Sequence, residues 1–159
     1  PEPIIKGNGT RVMSLRDGTK KMSKSDQSAF SRISLTDSNE DIEKKIRKAK
    51  TDPFALPETI AELANRPEAQ NLVNIYASLD NRQPDDVLSE FSGLPFSKFK
   101  PKLSTLAVSK LSPISYKIKD LMKNQDYIDS ILRTGALEAK QIADPILKRA
   151  YEIVGLLNS

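Results

Sequence analysis

Lys20-Lys21-Met22-Ser23-Lys24-Ser25-Asp26 sets three ammonium groups and two hydroxyls within seven residues. Lysine meets phosphate as a point charge, while serine hydroxyls and loop amides donate to oxygens whose positions change as a bond breaks. By residue type the segment fits a triphosphate clamp, and it fits a plain solvated loop equally well, because short Lys/Ser runs are common on surfaces. Other chemistries are closed to the chain. Its 159 residues contain no Cys and no His, which excludes a disulfide framework, a Cys/His zinc site, a thiol nucleophile and an imidazole base.

The elements around this segment must position it. Arg11-Val12-Met13-Ser14-Leu15 alternates and is β-branched at its second residue, as a short strand does, and Asp17-Gly18 follows as a turn. Residues 18–34 carry Ser, Lys and Thr with no helical or alternating period, and read as an exposed loop. From Ser38 onward the pattern is helical. Ser38 with Asn39-Glu40-Asp41 makes a capped start, Ile42, Ile46 and Ala49 share a face, and Pro53 and Pro57 break the run. Pro67 opens a helix with the stripe Leu72, Ile75, Tyr76 and Leu79, which ends at Asp80-Asn81. Tyr76 on this stripe reads as core rather than as a platform for a base. Pro84 opens a shorter helix with Val87, Leu88 and Phe91 inward and Gly93 as its stop.

Residues 96–122 put Leu103, Leu106, Ala107, Leu111, Ile114, Ile118 and Leu121 on one face, with Pro101 and Pro113 predicting a kinked helix or two abutting ones. Tyr127, Ile128, Ile131 and Leu132 predict another helix ending at Gly135. A last helix follows, with Ala136, Ala139, Ile142, Ala143, Ile146, Leu147, Ala150, Ile153 and Val154 as its stripe. The fold class expected is mainly α: a helical bundle, residues 38–159, preceded by a short strand and a functional loop within residues 1–37.

Charge is segregated along this bundle. Residues 1–50 carry 12 basic and 7 acidic side chains, residues 51–94 carry 2 and 8, and residues 95–159 carry 11 and 6. Two basic regions around an acidic one suit contact with a phosphate backbone at two places, although Lys-rich helices are also often simply solvated. Lys98, Lys100, Lys102, Lys117, Lys119 and Lys123 are the candidates, and for each alone a solvated role is the better expectation. No stretch approaches the roughly 18 apolar residues that span a bilayer, and Pro1-Glu2-Pro3-Ile4-Ile5-Lys6 has no hydrophobic signal core. The expectation is a soluble, cytoplasmic protein with no membrane partner.

Lys21-Met22-Ser23-Lys24-Ser25 resembles the second signature of the class I aminoacyl-tRNA synthetases. The wider run, Arg11-Val12-Met13-Ser14-Leu15 through Thr19-Lys20 to Asp26, resembles the tryptophanyl-tRNA synthetases in particular. Asn71-Leu72-Val73-Asn74-Ile75-Tyr76, Leu111-Ser112-Pro113-Ile114, Gly135-Ala136 and Val154-Gly155-Leu156 continue the likeness in order, so that it covers about Gly9 to Leu157. Tyrosyl-tRNA synthetase is the nearest competitor. Gly18 departs from the family's frequent Pro, and Phe54 to Arg66 resembles nothing placed.

The resemblance implies a ligase that activates tryptophan with ATP and Mg2+ and transfers it to tRNA(Trp), as a homodimer when full length. It implies Lys21 and Lys24 on the phosphate charge as the catalytic pair, and Ser23 and Ser25 as hydrogen-bonding partners. Val12 is implied as a backbone contact to adenine, with strand packing as its other role. Met22 either shields the clamp from water or pins the loop to the core. It further implies that residues 1–37 are the end of a doubly wound nucleotide-binding domain and residues 38–159 the helical tRNA and anticodon domain. The first signature of the class contains histidine, which this chain lacks, so the amino-acid pocket is expected upstream of Pro1. A stand-alone helical RNA-binding module and a protein-binding scaffold remain as alternatives. The 159 residues alone are expected to form no tryptophanyl-adenylate, and tryptophan-dependent adenylate formation by the purified chain would overturn this.

Overall fold

The computed structural model describes residues 2, 9 and 11–155. Among them lie five α-helices, α1 (Asn39–Arg47), α2 (Pro67–Asp80), α3 (Pro84–Phe91), α4 (Phe96–Met122) and α5 (Gln125–Val154), with 3-10 turns at Ala29–Ser31 and Ile60–Leu63. The chain divides into two compact units, residues 1–116 and 117–159. No helix of the described residues is long and apolar enough to cross a membrane.

The caps form where the residue types require them. The Ser38 side chain accepts the Asp41 N–H at 3.1 Å and donates to its carboxylate at 2.8 Å, closing the first turn of α1. Pro67 and Pro84 open α2 and α3 at positions where a missing N–H costs nothing. Asn81 ends α2 at φ 54, and Gly93 follows α3 at φ 73, both in the left-handed region.

The core of the first unit is built from Leu15, Ile42, Ile46, Leu56, Leu63, Leu72, Val73, Val87, Leu88, Phe91, Phe99 and Leu103, all buried. Phe91 meets Phe99 edge to face at 5.3 Å, and Tyr76 packs on both rings at 5.1 and 5.6 Å. Tyr76 is therefore a core-packing side chain, as the stripe implied. The buried face of α2 runs through Ala69, Leu72, Val73 and Ala77, with Ile75, Tyr76 and Leu79 packed at its margin. Alanines are invisible to a stripe drawn from large side chains, which is why the sequence pattern was rotated by about one position.

Two expectations are corrected. Residues 11–15 do not form a strand: one antiparallel bridge, Met13 to Lys21, is the whole pairing among the described residues. A strand needs a continuous ladder with a partner, and here a helix side chain takes the Met13 backbone groups instead. Gly135 does not stop a helix, for α5 runs through both Gly135 and Pro145. An interior glycine costs about 1 kcal/mol against alanine, too little to end a 30-residue helix. Residues 96–122 form one helix containing Pro101 and Pro113, which decides between the two arrangements expected, against two abutting helices. Within the second unit no α5 side chain is buried, and Ile142, Ile146 and Ile153 are open on the stripe that the sequence predicted.

Gly18 is buried against the start of α2. A Cβ there would lie 2.4 Å from the Pro67 carbonyl carbon and 2.5 Å from the Glu68 nitrogen, backbone atoms that cannot swing aside. Gly18→Ala is expected to destabilise the protein by about 1–3 kcal/mol, the usual cost of overpacking, read as a lower denaturant midpoint at unchanged slope.

Candidate functional site

Contacts at Met13, Leu15, Arg16 and Gly18 tie the segment ahead of the Lys/Ser loop to the rest of the first unit. The buried Asn71 amide of α2 accepts the Met13 N–H at 2.9 Å and donates to the carbonyls of Met13 at 2.9 Å and Ser14 at 3.4 Å. Leu15 inserts into the core, its N–H donating to Ser31 O at 2.9 Å and its carbonyl accepting the Lys50 N–H at 2.7 Å. Arg16 donates to the Lys48 carbonyl at the end of α1. The Glu68 carboxylate holds the Lys50 ammonium at 2.7 Å, and Gly18 packs against the Glu68 backbone. The Lys50 hydrogen bond keeps Glu68 below the usual carboxylate range, and Glu68 raises Lys50 in return.

On this base stands a tight hairpin. Ser14 N–H donates to Lys20 O at 2.8 Å and Met22 N–H to Val12 O at 3.0 Å, with Asp17 turning the chain through hydrogen bonds to the Thr19 amide and hydroxyl. The Thr19 bonds hold Asp17 below its ordinary range. Lys20 pairs with Asp17 at 3.3 Å, whereas Lys21 and Lys24 have no carboxylate partner among the described residues.

A cleft of about 700 Å³ opens beside the hairpin, lined by Gly9, Arg11, Val12, Lys21, Met22, Ser23, Lys24, Arg32, Ile33, Ser34 and Leu35. Five of the six site residues expected from sequence meet there. Ser25 does not line the cleft, but its hydroxyl lies 3.0 Å from that of Ser23, whose oxygen also accepts the Ser25 N–H at 3.3 Å. Met22 is half-buried against the core, so it pins the loop. Val12 is half-buried at the cleft wall with its carbonyl committed to Met22.

Sequence reasoning missed Arg11 and Arg32, which add two guanidinium groups to the lining. Nothing marked them out in the sequence, since Arg32 comes seven residues after the signature and only folding returns it to the cleft. Four cations face a wall containing no carboxylate, a set of donors suited to phosphate oxygens and offering a divalent cation no carboxylate ligand. Among the described residues no cluster of carboxylates could hold a metal.

Of the lysines proposed to meet RNA, Lys100 is withdrawn. Its ammonium caps α1 through the carbonyls of Ala49 at 2.7 Å and Arg47 at 3.4 Å, and burial followed by the nearby Arg16 lowers its pKa. Lys102 lies over the Phe91 ring at 5.7 Å and Lys117 pairs with Asp120 at 3.7 Å, while Lys98, Lys119 and Lys123 are exposed.

Comparison with known proteins places these features in context. The model of the tRNA synthetases class I (W and Y) family matches residues 2–109. The tryptophan-tRNA ligase of Rhizobium meliloti strain 1021 is 55% identical over 156 residues, covering 98% of this chain and 44% of that protein. That of Caulobacter vibrioides is 49% identical over 155 residues, covering 98% and 45%. The crystal structure of tryptophanyl-tRNA synthetase from Mycoplasma pneumoniae superposes with a TM-score of 0.73 at 28% identity, over 95% of this chain and 47% of that one. The chain thus spans a little under half the length of the curated relatives it matches.

Asn71→Ala is expected to cost about 2–3 kcal/mol, because it leaves the backbone groups of Met13 and Ser14 unpaired in a buried setting. Hydrogen exchange should speed up at Met13 and Ser14 before it does in α3, which chemical denaturation with site-resolved exchange would check.

Proposed function

The chain belongs to the tRNA synthetases class I (W and Y), and we propose that it is the C-terminal part of a tryptophan-tRNA ligase. In this reading its loop binds the triphosphate of ATP while its helices meet tRNA(Trp). The observation that carries the reading is the carboxylate-free cleft where Lys21, Lys24 and Ser23 converge. The names of the relatives from Rhizobium meliloti and Caulobacter vibrioides supply the amino acid.

The chemistry proposed is attack of the tryptophan carboxylate on the α-phosphorus of ATP, giving tryptophanyl-adenylate and pyrophosphate. Negative charge grows on the leaving pyrophosphate as the bridging bond breaks. Lys21 and Lys24, unpaired by carboxylates among the described residues, lower that barrier more than they tighten ground-state binding. Ser23 donates to the phosphate oxygens, and Ser25 holds the Ser23 hydroxyl in place through the 3.0 Å contact. Val12 borders the adenine at the half-buried wall. Mg2+ enters on the triphosphate and supplies further charge neutralisation there.

Residues 1–37 then close the nucleotide-binding domain and residues 38–159 form the tRNA and anticodon domain of a homodimer working in the cytoplasm. Tryptophan selection and the first signature belong to the remainder of the ligase. A stand-alone RNA-binding helical module is the second reading, favoured by the basic surplus of residues 95–159.

In the full-length ligase, tryptophan-dependent ATP-pyrophosphate exchange is expected, and Lys24→Ala should lower it about a hundredfold to a thousandfold. Exchange with tyrosine instead would move the specificity within the class. Exchange with neither amino acid, together with salt-dependent tRNA binding, would leave the RNA-binding module.

A further inference from the structure

The signature loop is fastened unequally at its two ends. Upstream, the Met13 to Lys21 bridge and the Met22 to Val12 hydrogen bond tie it to a hairpin that Asn71 locks to α2. Downstream, the Ser23–Ser25 contacts and the Ser28 N–H to Asp26 carboxylate bond are made within the loop and fix its local turns only. The exception is Arg32. Its guanidinium donates to the Asp26 carbonyl at 2.9 Å, with a longer approach of 3.4 Å to the Ser28 carbonyl.

Arg32 is itself held firmly. It follows the 3-10 turn Ala29–Ser31, in which the buried Ser31 donates its hydroxyl to Ser28 O at 2.7 Å and accepts the N–H of core residue Leu15. A side chain rooted beside the core therefore reaches back six residues and grips the backbone immediately after Ser25. The same residue lines the cleft with Lys21, Ser23 and Lys24.

We propose that Arg32 is a positioning residue of the adenylation site: its guanidinium tethers the Asp26 carbonyl so that Lys24 is presented to the triphosphate. This rests on the reading of the cleft as a triphosphate clamp. Carbonyl tethering needs a donor that stays charged and spans the gap without competing for a proton, which guanidinium provides. Because the tether acts through Lys24, losing it removes charge stabilisation at the leaving pyrophosphate and spares steps that do not use the clamp.

The test uses the full-length ligase and the variants Arg32→Ala and Arg32→Met, the latter keeping an apolar stem to pack if alanine impairs folding. Each is made alone and with Lys24→Ala. Expected are a fall in exchange kcat of about tenfold to a hundredfold, the range for one charge-assisted hydrogen bond, and unchanged transfer to tRNA from preformed adenylate. In the Lys24→Ala background the further loss should be under about threefold, since residues acting as a unit are not additive. Effects that multiply would make Arg32 an independent phosphate contact and overturn the proposal, as would a change within twofold in the single variants.

A second readout needs no activity. Trypsin cleavage after Lys24 in the absence of ATP, followed by mass spectrometry, should quicken about tenfold in both variants at unchanged melting temperature. Unchanged cleavage overturns the tether. Full exchange by Lys24→Ala alone would instead overturn the clamp reading, with the cleavage result still deciding the tether.

Discussion

The arrangement depends on one buried amide. Asn71 exchanges hydrogen bonds with both backbone groups of Met13 and reaches the Ser14 carbonyl, so that a segment with a single β-bridge is nonetheless fully anchored. Backbone polar groups away from water must be paired, and where no ladder pairs them a side chain has to. Because Asn71 is buried on α2 directly beside the core residue Leu72 in the chain, the packing that fixes the helix also sets the height of the hairpin, and with it the cleft. Gly18 completes the fit by letting the turn touch the backbone at the start of α2.

Electrostatics divide cleanly between support and site. Lys45 is buried against Asp37 at 2.5 Å, Lys50 pairs with Glu68, and Arg66 grips Asp52 with two nitrogens at 2.7 and 2.9 Å. These cations neutralise carboxylates and brace loops, and Lys100 and Arg16 cap the end of α1. Lys21 and Lys24 are left without a carboxylate among the described residues, which gives them charge to spend on a ligand. An arrangement of this kind keeps the bracing cations paired and leaves the cleft cations open to an anionic ligand.

Much of the helical layout was legible because its signals are local. Ser38, Pro67, Pro84 and Gly93 act through their own backbone neighbours, and the observed boundaries follow them. The errors share a cause as well. Arg11–Leu15 alternates like a strand, yet strand formation depends on a partner that no local pattern reveals. Gly135 resembles a stop, but a long helix absorbs the modest cost of one glycine. Lys100 had the composition of a surface lysine and was claimed by the carbonyls of a helix some fifty positions earlier, a contact that spacing along the chain does not encode.

The sequence by itself determined which charged and hydroxyl groups the loop offers, the starts of α1, α2 and α3 and the exclusion of cysteine and histidine mechanisms, since these follow from residue type and short-range geometry. Only the tertiary structure decided which cations share the cleft. It brought Arg11 and Arg32 beside Lys21 and Lys24, spent Lys100 on a helix end, and turned Asn71 from one residue of a helical motif into the anchor of the site. The reason is distance: the Asn71 and Lys100 contacts join residues more than fifty positions apart, and they exist only once the hydrophobic faces of α1, α2 and α4 have packed and fixed the backbones that carry them.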